Sequence, residues 1–216
     1  MKMHKYFIKT PWWARAFFSA YVWRIPTSEK IVYLSFDDGP HPTITPWVLD
    51  ELKKYNARAT FFCIGDNVIK YPSVYQRVLA EGHSVGNHTF HHLNGWKSTA
   101  VDYLNDAAKA ASVIKSNLFR PPYGKITAKQ AKGLPYALTN ESAKVIMWDV
   151  LSADFDTSIT PQQCTKNVLE NTEPGSVIVF HDSQKAFRNL QAALPGVLTA
   201  LEKKGYTFKE MPMDIL

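Results

Sequence analysis

Apolar residues along this chain fall into two alternating kinds of run. Short continuous runs occupy 31–34, 59–64, 83–86, 118–119, 144–150, 175–180 and 206–209. Their length and continuity are those of strands buried on both faces. Between them apolar positions recur every three or four residues, as on helices that cover a sheet. The spacing predicts helices over 43–55, 72–82, 99–115, 128–132, 161–169 and 187–204. The first carries Ile44, Val48, Leu52 and Tyr55, with Thr45-Pro46 as cap and first turn. The third carries Val101, Leu104, Ala108 and Ala111 on one stripe. Thr160-Pro161-Gln162-Gln163 reads as a capping box. Gly82 and Gly133 read as stops, and Pro195-Gly196 as a break in the last helix.

Strand and helix in alternation imply a parallel sheet curled into a distorted (β/α) barrel of about seven strands. Chemistry in such folds gathers where strands end. Five polar clusters fall there: Asp37-Asp38, His88, the stretch 120–124, the stretch 149–154, and His181-Asp182.

Composition narrows the picture. At 216 residues and 45% hydrophobic, the chain suits one domain with a small appendage. The net charge is +6, but Lys and Arg are scattered and no nucleic-acid motif is present, which argues against nucleic acid as partner. Two cysteines, Cys63 and Cys164, make neither a disulfide framework nor a zinc knuckle, and Cys63 reads as a buried thiol.

Residues 1–29 are expected to form a separate aromatic-rich segment, and 30–216 the domain that carries the five polar clusters. Lys2, His4, Lys5 and Lys9 open the segment, and Pro11, Arg15 and Arg24 interrupt every apolar run in it. That pattern fits neither a signal peptide nor a transmembrane span, so the expected compartment is cytoplasmic by default, with export or a peripheral membrane position as alternatives. Trp12, Trp13, Phe17, Phe18, Tyr21 and Trp23 are expected to close the floor of the barrel, in preference to anchoring it on a bilayer.

The first candidate site is Phe36-Asp37-Asp38-Gly39-Pro40. Adjacent side chains on a strand point to opposite faces, so two neighbouring acids take different tasks where the strand ends and turns. Two anions this close need a cation, a shared proton or both. The second site is His88-Thr89-Phe90-His91-His92. His88 and His92 share a face on a helical turn, but His88 with His91 also fits one metal ion, and spacing does not choose. Two histidines and a carboxylate leave coordination positions open, as a catalytic metal requires.

With these residues in hand, the chain resembles the polysaccharide deacetylases of the NodB-homology group, carbohydrate esterase family four. The likeness spans about 30–209 and rests on five ordered motifs: 36–40; His88 with Thr89 and His92; Arg120-Pro121-Pro122-Tyr123-Gly124; Trp148-Asp149 through Asp154; and Val179-Phe180-His181. It implies Asp38, His88 and His92 as ligands of a divalent metal, zinc first, with cobalt, nickel or manganese as alternatives. It implies Asp37 as general base, Arg120 as its partner, His181 as general acid and Asp154 as the group orienting His181. The Tyr123 amide would stabilise the oxyanion, and Pro121, Pro122, Tyr123, Phe155 and Val179 would bind substrate.

The implied reaction removes acetyl from N-acetylglucosamine units of a glycan such as peptidoglycan or a chitin-like oligosaccharide. The alternatives are an O-acetyl esterase of the acetylxylan type and a non-catalytic glycan-binding module; an iron oxygenase on the same triad lacks a cosubstrate site. Phe155 stands where the family usually has Trp, Val179 where it has Leu, and Leu93 where Pro is common. These departures bear on the substrate and leave the ligands and the acid–base pair intact.

Overall fold

A computed structural model describes residues 6–213; Lys2, His4 and Lys5 of the basic start lie outside the described residues. The strands are β1 (Ile31–Asp37), β2 (Ala59–Cys63), β3 (Ser84–Asn87), β4 (Leu118–Phe119), β5 (Lys144–Val145), β6 (Val150–Leu151), β7 (Val177–His181) and β8 (Thr207–Phe208). Seven follow the order β5-β4-β3-β2-β1-β7-β6, and β8 adds to β1. Every pairing between these strands is parallel. The α/β class and the parallel, curled sheet are therefore as the pattern implies.

Strand β1 lies at the centre, buried along its whole length. Val32, Leu34 and Phe36 pack outward into the main core, while Ile31 and Tyr33 join the smaller cluster inside the curl. By the two-residue period, Ser35 and Asp37 also point inside. The helices α2 (Ile44–Lys53), α3 (Gly65–Lys70), α4 (Pro72–Ala80), α5 (Ala100–Ala111), α6 (Ala128–Ala137), α7 (Pro161–Leu169) and α8 (Phe187–Lys203) complete the unit. Register aligns Asp37 with Phe62 on one side and with His181 on the other, so polar strand ends converge on one rim.

Several local expectations are corrected. Thr43, not Thr45, occupies the cap of α2; Thr45 lies inside the helix, accepting from the His41 amide and donating to Asp182. Helix α3 has no counterpart in the pattern. Buried positions of α5 are Tyr103, Asp106, Ala107 and Ala110, while Val101 is exposed. Helix α6 runs through Gly133 because the missing side chain admits Leu104: a Cβ there would meet Leu104 Cδ1 at 2.4 Å. Helix α8 is continuous across Pro195, held by buried Leu190, Leu194, Val197, Leu198 and Leu201, whose packing outweighs the roughly 3 kcal/mol that an interior proline costs.

The run 144–150 is two strands, because the carbonyls of Ile146 and Met147 accept from Arg120 instead of a neighbouring strand. The gap between β5 and β6 is bridged by the N-terminal segment. The Val22 amide donates to Val145, Met147 to Val22, Thr10 to Asp149 and Leu151 to Ile8. The segment's short helix α1 (Trp12–Phe17) has no buried residue. Tyr21 and Trp23 pack against the cluster of α5 and α6, but Trp12, Trp13, Phe17 and Phe18 are exposed. The segment is thus a strap along the seam, and most of its aromatics do not form a floor.

Buried Asp149 takes its cations from this strap, Lys9 Nζ at 2.8 Å and Arg15 Nη1 at 3.6 Å. Deleting the residues before Ser28 removes both. An uncompensated buried charge costs about 3–5 kcal/mol, and at roughly 2–4 °C per kcal/mol the melting temperature is expected to fall by about 10 °C or more. Differential scanning calorimetry of the truncated chain checks this; melting at the full chain's temperature would contradict it.

Candidate metal and acid–base site

Asp37 ends β1 and Asp38 begins the turn, with φ of 80°. That left-handed conformation swings the Asp38 carboxylate away from the face that Asp37 uses. Gly39 follows because nothing larger fits: a Cβ there would lie 2.2 Å from Asp182 Oδ2. Asp182 sits behind the turn and is fully buried, and burial, chiefly, pushes its carboxyl up to about 7.

The histidine loop leaves β3 and is held from below. Asn87 Oδ1 accepts from the Thr89 amide at 2.9 Å, and Asn87 Nδ2 donates to Ala107 O at 3.0 Å. Asp106 Oδ2 accepts from the amides of Phe90 and His91 at 2.8 and 2.9 Å. His91 turns its Nδ1 toward Asp106 Oδ1 at 2.5 Å, away from the acidic turn. Asp38 Oδ1 lies 3.2 Å from His92 Nε2 and 3.8 Å from His88 Nε2.

One donor atom each from Asp38, His88 and His92 fall within 4.8 Å of one another. His88 donates from Nδ1 to Arg120 O at 2.7 Å, which leaves the Nε2 lone pair facing the cluster. Burial lowers the His88 pKa to about 4, against the pull of Asp37 and Asp38, so the ring is neutral at pH 7. Burial alone would raise the Asp38 pKa, but the bond from His92 and then the charge of His181 hold it well below the usual carboxylate range. Neutral imidazole and ionised carboxylate are the forms that bind a divalent metal, and the donor set fits one.

Arg120 is completely buried and threads beneath the site. Its Nη1 donates to Asp37 Oδ1 and Ser35 Oγ, both at 2.7 Å, Nη2 to Met147 O at 2.9 Å and Nε to Ile146 O at 3.2 Å. The guanidinium also lies 4.0 Å from the centre of the Phe62 ring. On the other side of Asp37 stands His181, whose Nδ1 is 2.7 Å from Asp154 Oδ1 and whose amide donates to Asp154 Oδ2 at 2.7 Å. Burial would lower the His181 pKa, but Asp154 overrides it and raises the value to about 9, so the ring is a cation at neutral pH.

These groups open into a cavity of about 370 Å³. Tyr123, Phe155 and Val179 line it. Phe155 contacts the His181 ring at 5.1 Å between centroids, and Tyr123, at φ 61°, lies against His92 at 4.7 Å. Pro121 and Pro122 are buried and do not line the cavity; they set the turn that presents Tyr123. Trp148 and Leu151 of the fourth motif line it as well, without a role expected of either, and so do Tyr6, Ser183 and Lys185, to which no motif pointed. Tyr6 reaches the site from the strap and packs edge-on against Phe155 at 5.5 Å, a meeting that no local spacing could signal.

A parallel barrel whose rim brings two histidines and a carboxylate within reach of one another, beside the Asp37–Arg120 and His181–Asp154 pairs, fits the class of barrel hydrolases. A family model described as polysaccharide deacetylase matches residues 24–137. The chain belongs to that family. It is 35% identical over 202 residues to a peptidoglycan-N-acetylglucosamine deacetylase of Bacillus cereus, covering 89% of this chain and 71% of that one. It is 30% identical over 207 residues to a chitooligosaccharide deacetylase of Azorhizobium caulinodans, covering 88% and 96%. Among solved structures, the Bc1960 peptidoglycan N-acetylglucosamine deacetylase superposes with a TM-score of 0.81 at 34% identity, covering 89% of this chain and 91% of that one.

Proposed function

We propose that this protein hydrolyses N-acetyl groups of N-acetylglucosamine units in a glycan of the peptidoglycan or chitin-oligosaccharide type, releasing acetate. The observation that carries this is the pairing across β1 and β7. Asp37, held by Arg120, stands beside His181, held by Asp154, at the mouth of a three-donor cluster. Asp38, His88 and His92 would hold a divalent metal, zinc by preference. When bound, that metal supplies a Lewis acid for the acetyl carbonyl and lowers the pKa of water.

The protein's own groups do the rest. Asp37 accepts the proton of the attacking water, and Arg120 fixes its carboxylate. The Tyr123 amide donates to the developing oxyanion. Val179 and Phe155 enclose the acetyl methyl. His181, a cation at neutral pH, protonates the departing amine. An amine leaving group needs that proton more than an alkoxide does, so a charged His181 favours amide over ester. Acetate release from chitin oligomers against acetylxylan, with and without chelator, tests the reading. Rapid xylan deacetylation with inert chitin oligomers would assign the ester, and no release from either would remove the enzyme reading.

The acid has its own signature. Its raised pKa keeps His181 protonated up to about 9, so the rate should fall as pH rises through about 9. Asp154→Asn removes the largest of the charges that raise it, leaving Asp38 and Asp37 to oppose the burial that lowers it. The alkaline limb of kcat/KM is then expected to move down from about 9 toward 6.5, the ordinary histidine value. NMR titration of the His181 ring measures the same shift without turnover. An unmoved limb would mean that another group supplies the proton.

A further inference from the structure

The strap presents its apolar side to solvent. Phe7, Trp12 and Phe17 are 60%, 75% and 81% exposed, and Trp13 and Phe18 are exposed with them. On α1 the helical period places Trp12, Ala16, Trp13 and Phe17 on one arc, while Arg15 on the opposite arc turns inward to Asp149. Phe7 continues the arc by packing edge-on against Trp13 at 6.0 Å. This inverts the usual amphipathic helix, whose apolar face is buried.

Charge selects the occupant. Residues 1–28 contain five Lys and Arg and no Asp or Glu. Lys9, Arg15 and Arg24 share two carboxylates, Asp149 and Glu173. With Lys2 and Lys5, which lie outside the described residues, the sequence of the segment has five cations against those two anions, an excess of three positive charges. Tryptophan among excess cations is the composition of a headgroup interface, where indole lies between acyl chains and water and the cations meet anionic lipid. No helix among the described residues is long and apolar enough to cross a membrane, so such a contact lies on the surface of the bilayer.

From these observations we propose that the face formed by Phe7, Trp12, Trp13, Phe17 and Phe18 docks the protein on an anionic lipid bilayer. The docked face adjoins the site. Tyr6 lines the catalytic cavity while the next residue, Phe7, belongs to the exposed patch. Docking therefore holds the cavity mouth at headgroup level, beside a glycan carried at the membrane surface.

The test uses the full chain with two kinds of vesicle, phosphatidylcholine alone and phosphatidylcholine mixed with phosphatidylglycerol. Co-sedimentation with the mixed vesicles only, weakened by salt, and a blue shift of tryptophan emission are expected. Trp12→Ser combined with Phe17→Ser should weaken vesicle binding by about tenfold or more, since affinity follows inserted apolar area. Acetate release from soluble chitin oligomers should be unchanged. A protein that ignores anionic vesicles, or a double variant that binds as well as the parent, overturns the proposal. A dimer in solution that the double variant turns into a monomer assigns the face to a second copy and also overturns it. Vesicle binding without hydrolysis of any acetylated glycan would sink the deacetylase reading and leave the docking intact.

Discussion

Asp37→Asn is expected to slow acetate release by roughly 10²- to 10⁴-fold, the range for loss of a general base, with metal content unchanged. Asp38→Asn should do the reverse first: lose the metal, and activity with it. The two acids are adjacent in sequence and separate in space. Asp37 points into the curl against Arg120, while Asp38, at φ 80°, turns toward His88 and His92. Elemental analysis of the two purified variants beside their turnover separates the roles. A metal-free Asp37→Asn would exchange the assignments.

The largest loss of stability should come from Arg120→Leu. Its guanidinium makes four hydrogen bonds in the interior, and one of them compensates Asp37. Removing one member of a buried pair costs about 3–5 kcal/mol, because the other charge stays buried without a partner. The carbonyls of Ile146 and Met147 lose their donor at the same time, in the gap that no strand fills. Arg120→Lys should recover little, since an ammonium cannot span four acceptors spread over two strand ends. Urea unfolding followed by tryptophan fluorescence measures the loss. A variant with the parent's midpoint would mean that the guanidinium serves orientation alone.

Much of this site is written locally. The apolar run into Ser35 and Asp37 marks a strand that turns polar as it reaches the rim, and the spacing of His88 and His92 puts two imidazoles within reach of one ion. What spacing could not decide, between His91 and His92, is decided by Asp106, a residue of α5 that takes His91 away. The pattern missed Asp106 because an acid between apolar positions reads as solvent-facing, and its partners are backbone amides of a distant loop. The split of the run 144–150 was equally illegible. Apolar residues that pack around a guanidinium look like any buried strand. The strap was illegible for a related reason: it is attached by backbone hydrogen bonds across the seam and by ion pairs to Asp149, far away in sequence, and neither leaves a local signal, so most of its aromatics were free to face outward.

Gly39 and Asp182 are in this fold a single epistatic unit. The space that a side chain at 39 would need is filled by the Asp182 carboxylate, which Thr45 also holds. Gly39→Ala alone should displace the metal-site turn and abolish activity. In an Asp182→Ala background the same change meets a smaller neighbour, and part of the lost metal affinity should return. Among relatives of this chain, substitutions at the two positions should therefore arrive together.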